Sequence, residues 1–393
     1  MSDVRPVPAP PPPAPVDFRY SQSDAFPAVL RELGASLAIT TYQANKLLVA
    51  RAMGGGAGLS MLVRSFDRPM GLAVYGDKLA LGTRDQVWQF RNAADIAPHV
   101  EPAGAHDACF VPRASHVTGD IGIHEAAWAR DELWAVNTRF SCLCTLDPDY
   151  SFVPRWRPPF VTALVAEDRC HLNGLAVVDG QPTYVTALGE SDAATGWRAN
   201  KPHGGCLMEV SSGEIVARGL SMPHSPRWHD GRLWLLESGA GQLQMIDPLT
   251  CQRESVTEIP GFARGLALCG AYAFVGLSKI RATSAMDGVP LAARRDELKC
   301  GVAVVDLAAG RVCGMLEFQT AVEEIFDVQL LAGLRFPEVM GFQKDTLSHT
   351  FIVPPFHQPE VGHAVLPQTR AAHCNLRLPG ELSPLSNAER LRV

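Results

Sequence analysis

A short hairpin recurs five times along this chain of 393 residues, and it restricts the possible folds more than any other feature. Each copy is an apolar strand, a tight turn such as Asp-Gly or Gly-Asp, and a second strand rich in Leu, Trp, Val and Tyr. Such turn pairs supply the positive φ that hairpins need. The copies are RPMGLAVYGDKLALGT from Arg68, IHEAAWARDELWAVNT from Ile123, LNGLAVVDGQPTYVTA from Leu172, SPRWHDGRLWLLES from Ser225 and ARGLALCGAYAFVGLS from Ala263.

A third strand, often ending in Asp, and a fourth, more polar segment follow each hairpin. Four antiparallel strands with a period of roughly 40 to 60 residues are typical of a β-propeller blade. A weaker inner strand is predicted at FDVQLLAGL from Phe326, while Ser36 to Phe66 reads as three strands that lack an inner one. The sequence therefore predicts an all-β, six-bladed β-propeller, closed by N-terminal strands that complete the last blade.

The repeat also divides the chain. Residues 1–17 are rich in proline and are expected to form an extended, disordered tail. Residues 18–353 form the predicted propeller, and residues 354–393 lack periodicity and are expected to pack on the propeller or trail from it. A parallel α/β fold would need amphipathic helices between its strands, and the sequence offers almost none outside residues 24–33.

Charge and hydropathy argue against two classes of partner. The formal charge is −6 and no long Lys/Arg cluster is present, so a nucleic acid is not expected. The N-terminus lacks a signal-peptide pattern, and no apolar run is long enough to span a bilayer. We expect a soluble, cytoplasmic protein. The cysteines lie in predicted strands and read as buried thiols; Cys142 and Cys144 share a strand face but form no CxxC motif.

The inner strands of a propeller all begin at one face, so the residues before them should meet at the mouth of the central channel. Three histidines from consecutive blades lie there, namely His124, His171 and His224. Neutral imidazoles suit a divalent ion such as Fe, Zn, Mn or Cu, with coordination positions left for water or substrate. The alternative is a polar channel lining that binds only water.

Other polar residues are placed at the same face. Arg264 could orient a carboxylate or phosphate, and Glu125 could transfer protons, although a structural salt bridge explains the arginine equally well. The loops after Gly189 and Lys279 are long enough to cover a site. The candidate substrate-binding residues are Asn137, Arg139, Asn173, Trp197, Glu237 and Arg281.

Several phrases resemble a bacterial family of conserved proteins without an assigned activity, over roughly residues 30–350. That resemblance implies a propeller and no function. The inner-strand phrase with GLA is more loosely similar to the calcium- or zinc-dependent lactonase and streptogramin-lyase propellers, whose metal and catalytic residues line the channel mouth. Their carboxylate-rich metal set is not matched here, because histidines stand in its place. The phrases are SLAITTYQANKLLVAR, FDRPMGLAV, LWAVNTRFSCL, HLNGLA, PHSPRWHDGRLWLLESGAGQL and PGFARGLA.

Three functional hypotheses follow. The first is a metal-dependent lyase, hydrolase or non-haem oxygenase that acts on a small anionic or peptide-like substrate at the channel mouth. The second is a non-catalytic propeller that binds a protein or peptide on the same face. The third is a metabolite- or carbohydrate-binding module with Trp197, Arg139 and Glu237 as its anchors. The sequence leaves open whether the chain is an enzyme.

Overall fold

Six antiparallel sheets form a ring in the computed structural model, which describes residues 18–56, 58–280, 286–342 and 345–354. Each blade has four strands that run from the channel outwards, as predicted, and in five of the six blades these strands are consecutive in the chain. The early strands are β1 (Tyr20–Gln22), β2 (Ser36–Thr41), β3 (Lys46–Ala52) and β4 (Leu59–Ser65). Blade 1 consists of β5 (Leu72–Tyr75), β6 (Lys78–Gly82), β7 (Gln86–Asn92) and β8 (Cys109–Val117).

Blades 2 to 4 follow the same plan along the chain. Blade 2 is β9 (Ile123–Ala129), β10 (Glu132–Asn137), β11 (Cys142–Asp147) and β12 (Tyr150–Trp156). Blade 3 is β13 (Leu172–Val178), β14 (Gln181–Ala187), β15 (Gly205–Glu209) and β16 (Ile215–Leu220). Blade 4 is β17 (Pro223–His229), β18 (Arg232–Glu237), β19 (Gln242–Ile246) and β20 (Arg253–Glu258).

Blade 6 joins the two ends of the propeller. Its inner strand, β25 (Asp327–Leu331), pairs with β2, from Ser36 opposite Leu331 to Thr40 opposite Asp327. The predicted closure by three early strands and one late strand is therefore confirmed. Blade 5 is β21 (Phe262–Cys269), β22 (Tyr272–Ser278), β23 (Gly301–Asp306) and β24 (Arg311–Phe318), and the last strands are β25 (Asp327–Leu331) and β26 (Glu338–Val339).

Two outer edges gain a fifth strand. The strand β1 pairs with β24 of blade 5, and β26 runs parallel to β8 of blade 1. The α-helix α1 (Ala25–Glu32) buries Phe26 and Leu30 against blades 5 and 6. Short 3-10 segments occupy Gly54–Gly56, Ala97–His99, Gly196–Asn200, Pro290–Glu297 and Leu347–His349. In the described ranges, no helix has the length and apolar character needed to cross a membrane.

The hydrophobic core is divided among the junctions between blades. At the junction of blades 2 and 3, for example, Val136 and Leu143 pack against Leu172 and Val185. The same arrangement recurs at every other junction, including the closing one between blades 5 and 6. Alternate strand residues point to opposite faces of a sheet, so each blade contributes to two of these clusters.

Buried hydrogen bonds link neighbouring blades close to the channel. Hydroxyl groups at the ends of second strands donate to main-chain oxygens where the next inner strand begins. These bonds are Thr40 Oγ1 to Met70 O (2.6 Å), Thr138 Oγ1 to Leu172 O (2.6 Å), Ser238 Oγ to Ala263 O (2.6 Å) and Ser278 Oγ to Ile325 O (3.1 Å). The repeat thus includes a buried hydroxyl group at the end of the second strand in addition to its apolar pattern.

Glycines in the inner strands let adjacent blades approach each other near the axis. A Cβ on Gly174 would lie 2.3 Å from Pro226 Cδ, and one on Gly71 would lie 2.9 Å from Glu125 Cα. Both distances are too short for a real side chain, so the GLA phrase of the repeat reflects packing at the narrow centre of the ring.

The two terminal regions are only partly described. Residues 1–17 and 355–393 lie outside the described residues, so the predicted tail and most of the predicted extension are not part of this description. Before that point, Leu347 and Ile352 pack against Ile96 and Met340 beside blade 1. Residues 345–354 therefore contact the propeller rather than project from it.

Candidate functional site

A narrow pocket with free space of about 10 Å³ lies at the channel mouth, and five successive blades line it. Each blade from 2 to 6 contributes a residue from the beginning of its inner strand: the second or third strand position in blades 2 to 5, and the position just before the strand in blade 6. His224, rather than its neighbour Ser225, holds the ring position in blade 4. The ring residues are His124, Asn173, His224, Arg264 and Phe326, with Glu125, Ser225 and Asp327 one position further along the strands.

His124 is fixed through its Nδ1 atom. Nδ1 lies 2.8 Å from Thr138 Oγ1 and 3.3 Å from Gly122 O. The Thr138 hydroxyl already donates its proton to Leu172 O, and a carbonyl can only accept. Nδ1 of His124 therefore carries the proton and donates, which leaves an unshared electron pair on Nε2.

His171 is fixed in the same sense by a carboxylate. Its Nδ1 donates to both oxygens of Asp168, each at 2.9 Å. The Asp168 and His171 main chains have φ of +49° and +51°, in the left-handed region that non-glycine residues rarely adopt. This unusual backbone turns the imidazole toward blade 2, so that its Nε2 atom faces His124.

The two Nε2 atoms of His124 and His171 face each other at 3.2 Å. Two unshared pairs at this distance repel unless a proton or a cation lies between them or beside them. Two imidazoles bound to one zinc ion at tetrahedral angles have nitrogens about 3.3 Å apart, since each bond is about 2.0–2.1 Å. The pair therefore has the spacing of two ligands of one metal ion.

His224 repeats the arrangement of His124 two blades further on. Its Nδ1 lies 2.9 Å from Met222 O and 2.9 Å from Ser238 Oγ, and this hydroxyl donates to Ala263 O. Nδ1 is again the protonated atom, and Nε2 keeps its electron pair. The side chain is 5% exposed and lines the pocket.

Burial keeps two of these imidazoles neutral. Desolvation lowers the pKa of His124 well below its usual range, and the neighbouring His171 and Arg264 lower it further. Desolvation and Arg264 lower the pKa of His224 in the same way. Neutral imidazole is the form that binds metals, so both residues are ready to act as ligands at neutral pH.

Arg264 is the buried cation of the mouth. Its Cζ lies 3.9 Å above the centre of the Phe326 ring, and the residue is 6% exposed. Burial lowers the pKa of Arg264, while Tyr42 and Glu324 act against that shift, and Tyr42 donates a hydrogen bond to Glu324. A guanidinium that faces a pocket and is held from behind can bind the oxygens of a carboxylate or phosphate.

A second polar layer closes the channel below the pocket. Arg227 forms an ion pair with Glu125 and lies 3.9 Å from an oxygen of Asp327. Main-chain N–H groups of Leu175 and Leu72 donate to Glu125 at 3.2 Å and to Asp327 at 2.8 Å. Burial raises the pKa of Glu125 to about 7 and that of Asp327 to about 6, although Arg227 opposes both shifts.

One of the predicted substrate-binding residues lines the pocket, and a second packs against His171. Asn173 occupies the ring position of blade 3, where it donates to Pro223 O and accepts from Thr186. Trp197 packs its ring 4.4 Å from the ring of His171. The predicted aromatic residue of the long loop is therefore buried beside His171 and does not line the pocket.

Three other predicted substrate-binding residues make their contacts away from the pocket. Asn137 is fully buried and accepts a hydrogen bond from the N–H of Phe140. Arg139 pairs with Asp120 at 3.0 Å, with nearly half of its side chain exposed. Glu237 accepts hydrogen bonds from Ser221 N and Gln244 Nε2. None of these three lines the pocket. Arg281 lies outside the described residues.

Asp168 and Asp327 were not among the residues predicted for the site. A signal for Asp168 existed, since it precedes His171 by three residues, but its role requires the left-handed turn between them. The hydroxyls that hold His124 and His224 also left a signal. Each follows its histidine by 14 residues, because the hairpins have equal length.

The described residues contain no group of three His, Cys, Asp or Glu side chains placed so that it could hold a metal ion. The pair of His124 and His171 is close, whereas His224 lies in the same pocket without completing a set of three. The structure therefore brings His124 and His171 into contact, and His224 lies outside that contact.

Comparisons with known proteins identify a family. A family model described as "Domain of unknown function (DUF4915)" matches residues 24–340, which agrees with the resemblance to a family without an assigned activity. No curated protein is similar enough to count as a match. Two solved structures are similar over 76% of this chain, each with a TM-score of 0.45. One is a chain of the nidogen/laminin complex (10% identity, 99% of that chain), and the other is a protein of unknown function from Bacteroides caccae (9% identity, 98% of that chain).

Proposed function

Since this chain belongs to the DUF4915 family, whose description assigns no activity, we propose from the site itself that it is a metal-dependent enzyme. The divalent ion would be Fe, Zn, Mn or Cu, and His124 and His171 would hold it with His224 as a third ligand. The supporting observation is the Nε2 to Nε2 distance of 3.2 Å between two histidines whose Nδ1 atoms are both committed as donors.

The residues around the three histidines support metal binding. Metal-binding histidines usually donate their other N–H to a carboxylate or a carbonyl, which fixes the ring and raises its basicity. Asp168 does this for His171, Gly122 O for His124, and Met222 O for His224. His106 provides a contrast, because carbonyl oxygens lie 3.2 Å from both of its ring nitrogens and leave neither available.

The substrate we propose is small and anionic, or peptide-like with a carboxylate. Arg264 would bind the anionic group, because its guanidinium lines the pocket and rests on Phe326. When bound, the ion would polarise an oxygen of the substrate or activate a water molecule. Glu125 lines the pocket next to His124 and is the carboxyl group to which we assign proton transfer. Lyase, hydrolase and oxygenase chemistry all suit this arrangement.

The location we propose is the cytoplasm. Free, buried thiols such as Cys142 and Cys144 suit a reducing compartment.

Metal content tests the proposal most directly. The full-length protein would be reconstituted with Fe²⁺, Zn²⁺, Mn²⁺ or Cu²⁺, freed of excess ion and measured by elemental analysis. The wild type should hold close to one equivalent of one of these ions. The double variant H124A/H171A should hold none while its circular dichroism stays that of a propeller. The control H116A changes a partly exposed histidine that does not line the pocket, and it should match the wild type.

A wild type that takes up none of the four ions would contradict the proposal and favour a non-catalytic propeller. That second candidate has its own support, since Arg264 can bind an anion without any metal. Calorimetric titration of metal-free protein with small carboxylates and phosphates distinguishes the two. Binding that is lost in R264Q and kept in H124A/H171A would indicate a binding protein. Binding that requires the histidines would support the enzyme.

A further inference from the structure

Trp197 is buried in a loop that would ordinarily lie in solvent. It belongs to the long connection between β14 and β15, and it is 2% exposed. Main-chain and side-chain bonds tie this loop to the segment before His171. Thr195 N–H donates to Glu167 O at 2.9 Å, and Arg169 pairs with Asp192 at 2.6 Å. The loop therefore holds the tryptophan at a defined place beside the site.

The indole of Trp197 forms a hydrogen bond with Asp168 and a ring contact with His171. Its Nε1–H donates to Asp168 Oδ2 at 3.0 Å, and its ring lies 4.4 Å from the His171 ring. The Arg198 guanidinium packs over the same indole, also 4.4 Å from the ring centre. Asp168 thus accepts hydrogen bonds from the indole and from His171 Nδ1 at once.

The backbone conformation at Asp168 and His171 explains why these contacts are needed. The left-handed conformations of Asp168 and His171 cost energy for residues with a Cβ, and they persist only where surrounding contacts hold them. A short carboxylate with one partner could rotate and release the imidazole. A second donor on the same carboxylate prevents that rotation.

We propose that Trp197 is a positioning residue of the histidine pair. Its N–H fixes the Asp168 carboxylate, which holds His171 as the Nδ1–H tautomer with Nε2 turned toward His124. This role depends on the proposed metal site for its purpose, but the link from Trp197 to the His171 tautomer can be measured without metal.

The test compares three variants of the full-length protein. W197F keeps an aromatic ring against His171 and removes only the donor. D168N interrupts the same link at its other end and keeps the size of the side chain. W128F is the matched control, because the Trp128 indole N–H has no hydrogen-bond partner among the described residues.

The first measurement is metal-free ¹⁵N NMR of histidine-labelled protein, with the His171 signals assigned by loss in H171Q. The wild type and W128F should show a single Nδ1–H tautomer for His171. W197F and D168N should show averaged shifts of the two ring nitrogens, because the ring is no longer held. An unchanged tautomer in W197F would overturn the proposal.

The second measurement is the affinity for Zn²⁺ by chelator competition, together with the visible spectrum of bound Co²⁺. Loss of such outer contacts typically lowers metal affinity 10- to 100-fold. We expect a loss of about 10-fold in W197F, a larger loss in D168N, and a change below about twofold in W128F. An unchanged affinity and Co²⁺ spectrum in W197F would also overturn the proposal. If the wild type binds no metal, the proposed function fails while the NMR result still decides the role of Trp197.

Discussion

Two polar layers lie one residue apart along the inner strands, and both are buried, but their atoms are used differently. In the lower layer, carboxylates meet Arg227 and main-chain N–H groups, so the charged atoms bind one another and the scaffold. In the upper layer, the Nε2 atoms of His124 and His171 face each other, and His124 and His224 line the pocket. Burial is common to both layers, so the way in which the buried atoms are paired, rather than burial itself, distinguishes them.

The largest effect expected is on the lower layer. R227M would leave Glu125 and Asp327 without their shared cation. Breaking a buried pair in this way usually costs about 3–5 kcal/mol of unfolding free energy. Urea denaturation measures the loss. R84M removes an exposed pair with Asp67 and should cost less than about 1 kcal/mol. A loss in R227M no larger than in R84M would show that the lower layer does not stabilise the ring.

The pH dependence of stability should separate the two layers. Burial raises the folded-state pKa of Asp327 to about 6, above its unfolded value. The protonated Asp327 therefore contributes to the free energy of unfolding in acid, and this contribution is lost as the pH rises through 6. In the wild type, this loss should lower the free energy of unfolding by on the order of 1–3 kcal/mol between pH 4 and pH 7.5, and D327N should not show that decrease. Denaturation of both proteins across this range measures the difference, and parallel curves would contradict it.

A smaller effect should follow from the hydroxyl that holds His124. T138V keeps the volume and removes the acceptor of the Nδ1–H bond, so Zn²⁺ affinity should fall about 10-fold. T186V is the control, because Thr186 lies in the second strand of blade 3 but donates its hydroxyl proton to Asn173, which carries no imidazole. Both variants should lose some stability, but only T138V should lose metal affinity. Equal affinities would mean that the hydroxyl does not orient His124.

The smallest effect should come from residues that the structure places outside the pocket. R139A breaks an exposed ion pair with Asp120, which is worth less than about 1 kcal/mol. Zn²⁺ affinity and anion binding should remain those of the wild type by competition and calorimetry. A clear loss of either would restore Arg139 to the predicted substrate-binding set.

The sequence predicts the fold well because the strands and turns of each blade follow from local sequence patterns. Strand, turn and strand lengths repeat, and they place His124, Arg264 and Phe326 at one mouth. In blade 4 the repeat alone does not distinguish His224 from Ser225, because the side-chain direction reverses at each step along a strand. His224, not Ser225, takes the ring position there.

The partners within the site are harder to predict. Asp168 reaches His171 only through a left-handed turn, and Arg227 points into the channel from the third residue after His224. Asn137 stands beside Thr138 in the sequence but turns away from the pocket to Phe140. Such choices depend on the backbone torsion of single residues, and the repeat pattern does not record them.

The closure of blade 6 also sets when the site can exist during synthesis. Translation proceeds from the N-terminus, so β2 leaves the ribosome long before β25, the strand it pairs with. Until residues 326–331 have emerged, Arg264 has no Phe326 beneath it and the pocket lacks the side that blade 6 provides. A nascent chain therefore carries its histidines without a finished mouth, and the capture of any ligand there is an event of the completed protein.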